Sequence, residues 1–122
     1  FVARGWSMSP SICDGDLVEV APCRFDEVNA SDILLFRSAR GRAVVHRVIR
    51  RDRIHDQDVL IVQGDTALAP DAPVGRQDVL GCVVRVRNRR GKRVWLRRNS
   101  WLARRLRMVS GWFAGKKHLS GH

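Results

Sequence analysis

Ala43-Val44-Val45-His46-Arg47-Val48-Ile49-Arg50-Arg51, followed after a polar stretch by Val59-Leu60-Ile61-Val62, decides the fold of this chain. Valine and isoleucine are crowded together here, and β-branched side chains suit a pleated, half-buried surface. Successive side chains of a strand point to opposite faces, so Val44, His46 and Val48 share one face. The polar residues 52–58 separate the two runs and suggest a hairpin-like return. Working outward, 17–21 and 33–36 are short apolar runs between turn-forming residues, and 79–86 and 93–96 read as later strands. Arg89-Arg90-Gly91-Lys92 turns between the last two, and 64–74, with Pro70 and Pro73, reads as a loop. Many short strands without a repeat predict a mainly β domain over residues 1–98.

The end of the chain follows another pattern. After Asn99-Ser100, a capping pair, Leu102, Leu106, Val109 and Phe113 recur at helical spacing, with Arg104 and Arg107 opposite them. A basic amphipathic helix over 99–115 and a flexible basic tail over 116–122 are therefore expected. Charge separates the same regions. The first eighty-four residues hold ten basic and twelve acidic side chains, whereas residues 85–122 hold thirteen Lys or Arg and no acid. The whole formal charge of +11 thus belongs to the C-terminal part. Such a block calls for an anionic partner. With tryptophans beside it, an interfacial helix on an anionic membrane through residues 85–117 is the expectation, and nucleic acid is the alternative. Peripheral membrane association, with a cytoplasmic location as the alternative, follows from that reading.

The 122 residues, 44% hydrophobic, suit one small domain. No apolar run of about 18 residues is present to span a bilayer as a helix. The three cysteines, Cys13, Cys23 and Cys82, show no C-x-x-C spacing, and Cys13 and Cys82 read as small core residues. His46, His55, His118 and His122 lack metal-ligand spacing, so neither metal nor cofactor is expected.

One histidine has a different prospect. Gly5-Trp6-Ser7-Met8-Ser9-Pro10 presents a serine between a residue that permits sharp bends and one that fixes φ. A serine hydroxyl is a weak nucleophile until a base removes its proton. An ordinary imidazole, with a pKa near ~6.5, is largely neutral at pH 7 and suited to the task. His46, in the strand quoted above, is that base candidate.

Gly5-x-Ser7-Met8-x-Pro10, Gly15-Asp16, Asp32-Ile33, Phe36, His46-Arg47-Val48, Gly64-Asp65 and Val79-Leu80-Gly81 occur in an order and spacing that resembles the signal peptidase I family. The likeness is to its histidine-type branch, the endoplasmic reticulum enzyme and its archaeal and sporulating-bacterial relatives, and covers about residues 3–84. It implies a coiled β-sheet protease domain in which Ser7 is the nucleophile and His46 the base. An orienting acid aligns at Asp71, with Asp65 as the alternative. Gly5, Ser7 and Met8 would form the oxyanion and substrate-binding segment. Where some relatives carry an additional hydroxyl donor two positions before the nucleophile, this chain has Gly5. The serine–lysine machinery of self-cleaving SOS repressors and most bacterial signal peptidases does not fit, because no lysine precedes Lys92.

These observations predict a serine endopeptidase that removes signal or leader peptides from precursor proteins. The reading from a different class is a non-catalytic module whose basic tail contacts nucleic acid or an anionic membrane.

Overall fold

Alternation along the strands builds one antiparallel sheet with an apolar cluster on each face. The structure, a computed structural model, describes residues 1–96. Its strands are β1 (Leu17–Ala21), β2 (Ile33–Arg37), β3 (Ala43–Ile54), β4 (Gln57–Gln63), β5 (Val79–Arg87) and β6 (Arg93–Leu96). The order across the sheet is β1-β5-β2-β3-β4, and β6 also pairs with β5. The second half of β5 lies between β1 and β6, through pairs such as Val18↔Val86 and Val86↔Trp95. Its first half lies between β1 and β2, where Cys82 is opposite both Ala21 and Leu34. The domain is mainly β, with 3-10 turns at Phe25–Glu27 and Arg76–Asp78.

In β2, Leu34 and Phe36 enter one cluster while Ile33 enters the other. The first cluster gathers Phe25, Val28, Leu34, Phe36, Val48, Leu60, Val62, Val74 and Cys82. The second is closed by the N-terminal segment, whose Ala3, Met8 and Ile12 pack on Val18, Ile33, Val45, Val83 and Val86. Leu34, Leu60, Val18 and Val83 are wholly buried. Both sides of the sheet are therefore covered, which accounts for the nearly continuous apolar run of β5.

Two local expectations change. The polar residues 52–58 are not a connecting loop: β3 runs to Ile54, β4 starts at Gln57, and only His55-Asp56 turns. Both turn residues have positive φ, 50° and 63°, as a tight two-residue hairpin requires. The hairpin end extends beyond the core, so its charged side chains are exposed on both faces and carry no apolar alternation. Cys13 is not a core residue but half-buried, its thiol directed at the Pro10 carbonyl, whereas Cys82 is fully buried. The helix expected over 99–115 and the tail over 116–122 lie outside the described residues. No helix among the described residues is long and apolar enough to cross a membrane.

Candidate active site

The ladder between β3 and β4 ends at Arg47↔Gln63, while β3 continues to pair with β2 from Arg47 back to Ala43. Among the described residues, His46 is thus the first, going back along β3, that has β2 on one side and no strand on the other. The chain leaves β4 at Gly64, and the N-terminal segment brings Ser7 into the notch beside it.

There the side chains form a row. His46 Nε2 lies 3.0 Å from Ser7 Oγ, and His46 Nδ1 lies 2.5 Å from Asp71 Oδ2. With Nδ1 protonated, the ring donates to Asp71 and offers Nε2 to accept from the Ser7 hydroxyl. The His46 side chain is only 12% exposed and Asp71 34% exposed. Phe36, itself buried, supports the imidazole with ring centroids 6.1 Å apart. Asp71 comes from the loop after β4, which is tied to that strand by the Asp71 N–H on the Val62 carbonyl (2.9 Å) and by reciprocal bonds between Leu60 and Val74.

Asp65, the alternative partner, is committed elsewhere. Its two carboxylate oxygens accept from Arg47 Nε and a terminal guanidinium nitrogen, each at 2.9 Å. The Arg47 guanidinium holds the Asp65 carboxyl below the usual carboxylate range, and the same hydrogen bonding raises Arg47. Arg47 also donates to the Ser31 carbonyl and Ser11 Oγ, so one side chain joins three loops around the notch. Since neighbouring strand residues point oppositely, His46 and Arg47 reach different aspartates on the two sides of β3.

The segment bearing Ser7 is held from several directions. Gly5 has φ of 85° and donates its N–H to Asp14 Oδ1 at 2.7 Å. The Ser7 carbonyl accepts from Thr66 N–H (2.9 Å), and the Trp6 carbonyl from Thr66 Oγ1 (3.3 Å). Met8 is buried, with its sulfur facing the Asp65 N–H at 3.4 Å. Of the three residues expected to supply the oxyanion segment, Gly5 has its N–H taken. The N–H groups of Ser7 and Met8 make no hydrogen bond among the described residues. A groove of about 270 Å³ opens beside them, lined by Ala3, Gly5, Ser7, Met8, Val44 and Val45 among others.

The structural partners of Arg47 and the close approach of Gly64 had only a pointer in the sequence, the Gly64-Asp65 pair. Among the described residues no group of three or more His, Cys, Asp or Glu is placed to hold a metal ion. Part of the expected basic block is internally paired: Arg85 and Arg87 face Glu19, and Arg89 faces Asp14. Comparison with protein families, with characterised proteins and with solved structures gives no match.

Proposed function

We propose that this chain is a serine endopeptidase of signal-peptidase type, acting on signal or leader peptides of precursor proteins through Ser7, His46 and Asp71. The observation that carries the reading is the hydrogen-bonded row from Ser7 Oγ through the imidazole to the Asp71 carboxylate. His46 Nε2 takes the Ser7 proton as Oγ attacks the scissile carbonyl, then delivers it to the departing amine. In the second half-reaction the same nitrogen takes a proton from the water that attacks the acyl ester and delivers it to Ser7 Oγ as the ester bond breaks, releasing the acid and restoring the serine. Asp71 holds the ring in the tautomer with Nδ1 protonated and stabilises the imidazolium that forms in each half. The N–H groups of Ser7 and Met8 are the donors available to the developing oxyanion, in place of the hydroxyl that Gly5 lacks.

The edge of β3 beside Ser7, unpaired among the described residues, favours an extended substrate added as a strand, its backbone matched by residues 43–46. The adjoining groove, whose lining mixes Met8, Ile12 and Val45 with Arg4 and Ser7, receives the substrate side chains next to the cut. The basic residues between 85 and 117 bring the enzyme to an anionic membrane surface, where such precursors are met.

Incubation with a peptide carrying a leader sequence, small residues before the junction, and mass analysis of the products tests the proposal. Cleavage at one bond by the wild type and none by Ser7→Ala is expected. Intact peptide with both proteins, or equal cleavage by both, would overturn it.

A further inference from the structure

We propose that Cys23 and Cys82 are a thiol–disulfide couple, closed by exchange with an external disulfide such as oxidised glutathione. Ala21 at the end of β1 is opposite Cys82 of β5, and Cys23 follows two residues later. Chain continuity thus brings two residues fifty-nine positions apart side by side. Their sulfurs face one another, Cys82 Sγ against Cys23 Sγ. Their exposures differ. Cys82 is wholly buried in the cluster with Phe25, Leu34 and Phe36, while Cys23 packs on the rim of that cluster and is partly exposed. Cys13 has its thiol near the Pro10 carbonyl.

That asymmetry gives each sulfur a role. The Cys23 thiolate attacks the external disulfide, forming a mixed disulfide and expelling one thiol. Cys82, held against it, then attacks Cys23 Sγ and expels the second. In balance, two protein thiols and one external disulfide become one protein disulfide and two external thiols. The chain between the linked residues contains β2, β3, β4 and the loop bearing Asp71, hence His46 and Asp71 but not Ser7. Closing it restricts the unfolded chain over that length, so the oxidised domain should be the more heat-stable. An oxidising compartment favours the closed form and a reducing one the open form.

The test does not depend on protease activity. The purified 122-residue chain is equilibrated with oxidised glutathione, denatured, alkylated and weighed intact, alongside a sample reduced with dithiothreitol. Three alkyl groups are expected on the reduced protein and one, on Cys13, after oxidation, with a higher Tm that dithiothreitol reverses. Cys13→Ser should keep the redox-dependent Tm, and Cys23→Ser should abolish it. Three alkyl groups after oxidation, a bond that includes Cys13, or a glutathione adduct persisting on Cys23 would each overturn the proposal.

Discussion

Gly64 and Ser7 meet so closely that a Cβ on Gly64 would lie 3.0 Å from both the Cβ and the carbonyl oxygen of Ser7. The same added atom would be 3.0 Å from His46 Nε2. The absence of a side chain at this position therefore lets the end of β4 pass against the Ser7–His46 hydrogen bond. Gly64→Ala must displace one of these neighbours by a few tenths of an ångström. Because a small misplacement of reacting groups is costly, kcat should fall about 10- to 100-fold. Steady-state kinetics together with a melting curve checks this, the domain remaining folded while turnover drops.

Asp71 and Asp65 should separate cleanly. Asp71→Asn removes the acceptor that orients the ring, and a loss of about 10²- to 10⁴-fold in kcat is expected. Asp65→Asn leaves the His46–Asp71 contact in place and should cost less activity than Asp71→Asn. A larger kinetic effect at Asp65 would reverse the assignment.

The Asp65–Arg47 pair should instead appear in stability against pH. The Asp65 carboxyl is lowered in the folded state, chiefly by its hydrogen bonds to Arg47. Its contribution is present in full above the ordinary carboxylate range and is lost as pH falls through the lowered value. Wild type and Asp65→Asn melting temperatures should therefore differ most at neutral pH and converge on acidification. A constant difference down to strongly acidic pH would show that the substitution acts otherwise.

The C-terminal region makes a separate prediction. Vesicles containing anionic lipid should bind the full chain at low salt and release it at high salt, since exposed charges are screened over about 8–10 Å. Leu106→Glu and Phe113→Glu should weaken binding although every basic residue remains. Binding to oligonucleotides but not to vesicles would favour the nucleic-acid reading.

Periodicity made the strands legible, β1 to β5 each supplying residues to an apolar cluster. Residues 17–21 and 93–96 appear as β1 and β6 with the expected bounds, and Val44 and Val48 do fall on the His46 side of β3. The outer half of the β3–β4 hairpin could not be read this way, since Arg50, Asp52, Arg53 and Asp58 are exposed and form the ion pairs Arg50–Asp52 and Arg53–Asp58 instead of an apolar stripe. Long-range pairings were equally hidden. Arg47 with Asp65 and Cys23 with Cys82 depend on strand register, which no local pattern encodes. Ser7 and His46 stood out by residue type and setting and Asp71 by the resemblance, but that Asp65 is taken up by Arg47 depends on the direction in which neighbouring residues of β3 point.

The central claim is that the His46 imidazole makes Ser7 a nucleophile. Its most direct test is reaction with a serine-directed acylating inhibitor, followed by intact-mass and peptide-mapping analysis of wild type, Ser7→Ala and His46→Ala. The account predicts one covalent adduct on Ser7 in the wild type, none in Ser7→Ala, and labelling slowed by about 10³-fold or more in His46→Ala. An adduct of equal yield in Ser7→Ala, or unchanged labelling of Ser7 in His46→Ala, would contradict it.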